Sequence, residues 1–141
     1  MYDLFLSYAH GADESMIPYA HRIYEELTVA GFNVWIDIYN MNNTVKDEKK
    51  IMRSGISSST IFVALLSPEY MASLNCNFEF SVALKKNKPI VLAAVKSGIY
   101  KTQNFTHLYG LQHEKLDAIN LTSGHFKKGV EELVSTIRNI Y

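Results

Sequence analysis

The chain has 141 residues, of which 48% are apolar and 20% charged, the size and balance of one globular domain able to bury a core. Fourteen basic residues offset fourteen acidic ones. That excludes a basic footprint for nucleic acid or an anionic membrane, excludes an acidic tail, and leaves self-association unopposed by net charge. A single cysteine, Cys76, excludes an intramolecular disulfide framework. With no signal peptide at Met1 and no apolar run of the ~18 residues a membrane span needs, the expected location is the cytoplasm.

Met1-Tyr2-Asp3-Leu4-Phe5 already reads as strand, so one domain is expected over residues 1–141. Leu4-Phe5-Leu6 is a short apolar run between polar residues, the mark of a buried strand. A small, polar loop follows from Ala9 to Asp13. From Met16 to Ala30 the apolar positions Met16, Ala20, Ile23, Tyr24 and Leu27 make one helical stripe, with Ser15 as the expected cap and Gly31 at the C-terminal end. Phe32 to Ile36 reads as a second strand, closed by Asp37. Residues 38–46 are a polar, asparagine-rich loop, and a short helix is expected from Asp47 to Ile56.

Ile61 to Leu66 is apolar at every position, as in a central parallel strand. Ser67-Pro68-Glu69 is a helix start, with Ser as cap, Pro in the first turn and Glu near the positive end. Asn75 to Lys86 reads as a helix burying Phe78 and Val82, with Cys76 and Ala83 beside them. Pro89 to Val95 is another apolar strand whose first residue is proline, where proline is tolerated. Gly98 to Leu116 shows no clean period; loops and one short helix are expected there. Ala118 to Leu121 makes a short edge strand, and Phe126, Val130, Leu133, Val134, Ile137 and Tyr141 share one face of a last helix.

Alternating strands and helices with buried strands predict an α/β fold, a parallel sheet with helices on both faces. Ligands bind such sheets outside the C-terminal strand ends, here the loops after Leu6, Ile36 and Leu66. There is no Gly-rich phosphate loop and no nucleophile elbow. His10, His21, His107, His113 and His125 have no metal-ligand spacing, so no metal is expected. Cys76 lacks a nearby histidine and reads as a packed thiol. Lys85, Lys86 and Lys88 read as a solvated run at a helix end, and Trp35 as core. By pattern alone, Glu79 is an exposed helix glutamate.

Three blocks together resemble the TIR (Toll/interleukin-1 receptor) domain family. Tyr2-Asp3-Leu4-Phe5-Leu6-Ser7-Tyr8 is similar to its opening strand, and Gly31-Phe32-Asn33-Val34-Trp35-Ile36-Asp37 to its second strand and closing aspartate. Ser59 through Leu65-Leu66-Ser67-Pro68-Glu69-Tyr70 to Ser73-x-x-Cys76-x-x-Glu79 is similar to its central strand and the lead into the next helix, with Lys88-Pro89-Ile90-Val91 following in register. The resemblance covers essentially the whole chain. It implies a flavodoxin-like three-layer fold with a five-stranded parallel sheet.

The family divides in function. Some members cleave NAD⁺ at the nicotinamide–ribose bond; others only bind further TIR domains as adaptors or scaffolds. The cleaving members carry a glutamate at the position of Glu79. The resemblance, most of all to standalone bacterial TIR proteins of the Thoeris defence type, therefore implies an NAD⁺-consuming signalling enzyme. NAD⁺ is its substrate, no further cofactor is needed, and a separate effector is activated by the product. It makes Glu79 the catalytic residue and places Ser7, Tyr8, Ala9, His10, Asp37, Asn75 and Cys76 around the substrate. Self-association through TIR–TIR contacts completes the picture. Three departures stand out: Ala9 where many members have arginine, Asn75 where tryptophan is frequent, and no Pro-Gly after Asp37. A response-regulator domain is discounted because the first strand ends in Ser7-Tyr8 rather than in acids.

Overall fold

The computed structural model describes residues 1–11, 14–41, 47–96 and 118–141. Five strands run in chain order: β1 (Tyr2–Tyr8), β2 (Val34–Trp35), β3 (Ser59–Leu66), β4 (Ile90–Ala94) and β5 (Ile119–Asn120). Between and after them lie α1 (Met16–Val29), α2 (Asp37–Asn40), α3 (Glu48–Ser57), α4 (Pro68–Ala72), α5 (Leu74–Lys85) and α6 (Phe126–Ile140). The strands form one sheet in the order β2-β1-β3-β4-β5, every pair parallel. This is the expected three-layer α/β architecture, with helices on both faces.

Side-chain alternation in β3 explains why both faces must be covered. Ile61, Val63 and Leu65 point into one apolar cluster, which takes in Leu4 and Leu6 of β1, Ala20, Ile23 and Leu27 of α1, and Leu133 and Ile137 of α6. Phe62, Ala64 and Leu66 point the other way, toward Phe5, Trp35, Ile56, Tyr70, Phe80 and Ala83. Phe5 stacks between Trp35, with ring centroids 4.3 Å apart, and Phe62, at 5.5 Å.

Local chemistry sets the helix ends. Ser67 Oγ accepts from the Tyr70 amide at 3.1 Å, Asp47 from the Lys50 amide at 3.0 Å, and Ser73 from the Cys76 amide at 3.2 Å. Gly31 takes φ +101°, the left-handed backbone that lets Phe32 N–H return to the Leu27 carbonyl and close α1.

Several expectations are corrected. Ser15 makes no side-chain cap bond, because its own backbone is already helical at φ −64°. The second strand shrinks to Val34–Trp35, since β2 is an edge strand paired only with β1. Residues 38–40, expected as the start of a loop, belong with Asp37 to a helical turn; Asn40 Oδ1 accepts from the Ile36 amide at 3.0 Å and stabilises it. In α5, Phe80 rather than Phe78 fills the core; Phe78 is half-buried beneath the cations of Arg53 and Lys49, at 5.0 and 5.3 Å. Tyr141 is exposed, its hydroxyl donating to Asp3 Oδ1 at 3.0 Å. The expectations for residues 42–46 and 98–116 fall outside the described residues. Among the described residues no helix is long and apolar enough to cross a membrane.

At Gly129, α6 lies tight against the end of β5. A Cβ there would lie 2.1 Å from the Asn120 carbonyl oxygen and 2.7 Å from Leu121 Cδ2. We predict that Gly129→Ala lowers stability by about 1–3 kcal/mol, the scale of overpacking a tight interior. Urea unfolding checks this, and an unchanged midpoint would refute the close docking of α6 on β5.

Candidate functional site

The C-terminal end of β1 and the loop after it, the end of β2 with the turn that follows, α4, and the N-terminal halves of α3 and α5 enclose a cavity of about 770 Å³. That lies within the range of small-molecule sites. It opens on the sheet edge where ligands of parallel α/β folds sit. Tyr8, Ala9, His10, Asp37, Asn75, Cys76 and Glu79 all line it. Ser7 stands behind the lining, fully buried, hydrogen-bonded to Tyr70 Oη at 2.8 Å and to the Glu79 carboxyl.

The position of Glu79 follows from the cap three residues before the first of its companions. Ser73 starts α5, so Cys76 and Glu79, one turn apart, point to the same face as Phe80 and Ala83, against the sheet. Glu79 is only 7% exposed, not the solvated glutamate its pattern suggested. Burial pushes its pKa up to about 8; the Ser7 hydrogen bond works against that, and the charge of Asp37 adds to it. Cys76 is also buried, its thiol pushed up to about 12 by burial and by the neighbouring Glu79. It is a packed thiol rather than a nucleophile.

Facing Glu79 is a second group of polar side chains. His10 Nε2 donates to Asp37 Oδ2 at 2.6 Å, and Tyr8 Oη donates to Asp37 Oδ1 at 2.8 Å. Burial works to raise the Asp37 pKa, but these two donors outweigh it and hold the carboxyl below its usual range. The same bond to Asp37 raises His10, against a smaller opposing effect of burial. Burial and Asp37 together raise Tyr8, which stays a neutral donor.

Sequence reasoning missed four participants. Tyr70 orients Ser7, and Glu69, Glu48 and Trp35 line the cavity. Glu69 was read only as a helix-start charge; its Oε1 receives Lys96 Nζ at 2.6 Å, and that bond holds it below the usual carboxylate range. The available signal was the geometry of a capped helix on the ligand edge, which aims its first-turn side chains at the pocket. Trp35 was read as core, which it is, yet one side of it reaches the cavity. Among the described residues, no three His, Cys, Asp or Glu side chains gather as a metal site.

The TIR domain family model matches residues 4–134, and the chain belongs to that family. Among solved structures, the TIR domain of the Toll-related receptor TRR-2 from Hydra magnipapillata is 15% identical, with a TM-score of 0.71 over 98% of this chain and 99% of that one. A TIR-STING receptor from C. gigas bound to 2′,3′-cGAMP is 17% identical, with a TM-score of 0.72 over 97% of this chain and 39% of that one. The TIR domains of the activated Roq1 resistosome are 19% identical, with a TM-score of 0.60 over 100% of this chain and 86% of that one. These likenesses establish the fold. No curated protein matches the chain.

The raised pKa of Glu79 has a stability consequence. Its ordinary value is 4.5, against about 8 in the fold. Between the two, the folded state keeps a proton that the unfolded chain has lost. Stability therefore falls as pH rises through that window and levels off above it, by on the order of 3–5 kcal/mol. Glu79→Gln cannot titrate, so its stability relative to wild type should climb between about pH 5 and about pH 9. Urea unfolding of both proteins measures this; a constant difference would mean that Glu79 is solvated.

Proposed function

We propose that this TIR domain cleaves NAD⁺ at the nicotinamide–ribose bond, with Glu79 as the catalytic carboxylate. The observation that carries the reading is a nearly fully buried glutamate, held by Ser7, in the wall of a ligand-sized cavity on the functional sheet edge. A carboxylate buried there costs stability, which is the expected signature of a group retained for chemistry.

The C1′–N1 bond breaks with its electron pair passing to the nicotinamide nitrogen, which leaves neutral. No general acid is needed. The ribose carbon becomes oxocarbenium-like, as in glycoside hydrolysis. Glu79 gives up its proton to solvent as the positive charge of the bound substrate lowers its pKa, and the carboxylate then stabilises that carbon more than it stabilises the ground state. Water then adds to C1′ and releases its proton to solvent, giving ADP-ribose; capture by a hydroxyl or ring nitrogen of the same nucleotide gives a cyclic isomer instead. Such a product is suited to act as a diffusible immune signal for a separate effector, including in antiviral defence of the Thoeris kind.

A second reading is a non-catalytic TIR–TIR scaffold. It is favoured by apolar surface next in sequence to cavity-lining residues: Leu74 is 85% exposed beside Asn75, and Tyr39 is 59% exposed beside Ile38.

Nucleotide profiling by liquid chromatography and mass spectrometry separates the two. Concentrated wild-type protein should release nicotinamide from NAD⁺, and Glu79→Gln should reduce that release by at least ~100-fold, the scale of removing one transition-state charge contact. Failure of both proteins to consume NAD⁺ at high concentration and under crowding would favour the scaffold. In a dilution series, we predict that nicotinamide release per molecule falls on dilution, because a neighbouring copy completes the site. Strict proportionality to protein concentration would contradict a shared site.

A further inference from the structure

Tyr70 is fully buried in an apolar cluster with Phe5, Phe62 and Phe80, yet it carries a hydroxyl. A buried hydroxyl needs a partner to offset its desolvation. It has one in Ser7 Oγ, itself buried, at 2.8 Å. The start of α4 fixes the approach, because Ser67 Oγ accepts from the Tyr70 amide at 3.1 Å and sets the helical turn that carries the ring.

Ser7 in turn holds the Glu79 carboxyl. Three buried groups on β1, α4 and α5 therefore form one chain, Tyr70 to Ser7 to Glu79. Neither Ser7 nor Tyr70 lines the cavity, so the chain reaches Glu79 from behind the ligand surface.

A serine hydroxyl has one proton and gives it to one neighbour. While Glu79 is protonated, two arrangements satisfy the chain. Either Glu79 donates to Ser7 and Ser7 to Tyr70, or Tyr70 donates to Ser7 and Ser7 to a carboxyl oxygen. An ionised Glu79 only accepts, and one arrangement remains: Tyr70 donates to Ser7, and Ser7 to the carboxylate. Passing between them takes rotation of hydroxyl hydrogens and no movement of heavier atoms. Each donor in such a chain polarises the next and strengthens the bond that reaches the charge.

The other groups facing Glu79 do not supply this. On α5, Cys76 is a neutral thiol; on β1, Tyr8 gives its proton to Asp37; and Asp37, a carboxylate, disfavours a second charge. His10, Glu48 and Glu69 share the cavity wall, with His10 bound to Asp37 and Glu69 to Lys96. Among the described residues, the Ser7 bond favours the ionised form against burial and Asp37.

We propose that Tyr70 is a positioning residue for Glu79: it donates to Ser7 Oγ, turns the single Ser7 proton onto the Glu79 carboxyl, and so holds the anionic form that the reaction needs. The assignment rests on Glu79 as the catalytic carboxylate and adds how its charge is held.

The test has two arms. In the first, carbon NMR follows the Glu79 carboxyl in glutamate-labelled protein from about pH 5 to about pH 11, with Glu79→Gln identifying its signal. Ser7→Ala should raise the titration midpoint by about 1–2 pH units, the scale of one hydrogen bond to a charged group. Tyr70→Phe should raise it less, by on the order of half a unit. In the double variant Tyr70→Phe should add nothing, since its effect passes through Ser7. A Tyr70→Phe midpoint equal to wild type, or a shift that persists in the Ser7→Ala background, overturns the proposal. This arm needs no turnover and stands whether or not NAD⁺ is cleaved.

In the second arm, the pH profile of kcat for NAD⁺ is measured. Tyr70→Phe should move its acid limb to higher pH and leave KM on the plateau unchanged. A plateau kcat that falls while the limb stays in place overturns the proposal, because Tyr70 then only packs the core. If wild type cleaves no NAD⁺, the catalytic reading fails, and the first arm alone decides whether Tyr70 holds the Glu79 charge through Ser7.

Discussion

The parallel pairing of β1 with β3 is the constraint on which the rest of the molecule depends. It runs through six registered residue pairs, from Tyr2 opposite Ser59 to Tyr8 opposite Leu65. That register buries Phe5 against Phe62 on one face and seats Leu4 and Leu6 with Ile61 and Val63 on the other. It also carries Ser7 and Tyr8 to the C-terminal edge together with Leu65 and Leu66. From there Ser7 reaches Tyr70 of α4, and Tyr8 reaches Asp37 after β2. Slipping the pairing by one residue would turn Ser7 and the apolar residues alike to the wrong face. Core and site share one register.

Around that edge the energetics are divided. The apolar clusters above and below the sheet are well packed and supply the stability. The cavity between them holds a carboxyl that burial opposes, a carboxylate held by two donors, and a thiol locked in its neutral form. Such a site persists only because the surrounding register and caps fix its backbone. The Ser73 cap, the Ser67 cap and the Asn40 bond to the Ile36 amide are all short, local and buried or half-buried. They orient the polar groups before any ligand arrives, which is the preorganisation that charge stabilisation requires.

The fold was legible because it is written in local chemistry. The run Ile61–Leu66 has no polar residue, so it had to be covered on both sides, and the Ser67-Pro68-Glu69 start announced the helix that follows. The loop reading of residues 38–40 failed because an asparagine side chain, invisible to periodicity, closes the turn. Phe78 and Phe80 are two residues apart in a stretch where polar residues (Asn75, Asn77, Glu79, Ser81) alternate with apolar ones, and the choice between them depends on how α5 meets α3, which no pattern along the chain encodes. For the site, spacing brought Cys76 and Glu79 to one face, but the polar groups that act on Glu79 there, Ser7 and Asp37, lie 72 and 42 residues away in the sequence. Only the family resemblance singled it out beforehand. Glu69 and Trp35 each had a sufficient structural explanation, and that concealed their second exposure to the cavity.

The two outer strands of the sheet, β2 and β5, are each two residues long. A free strand from another molecule therefore finds almost no unpaired backbone to extend. Among the described residues, the surfaces open to another copy are side chains on helices and turns rather than sheet edges. Contacts of that kind can be reversed, whereas backbone ladders propagate, so the brevity of the edges keeps association open to control.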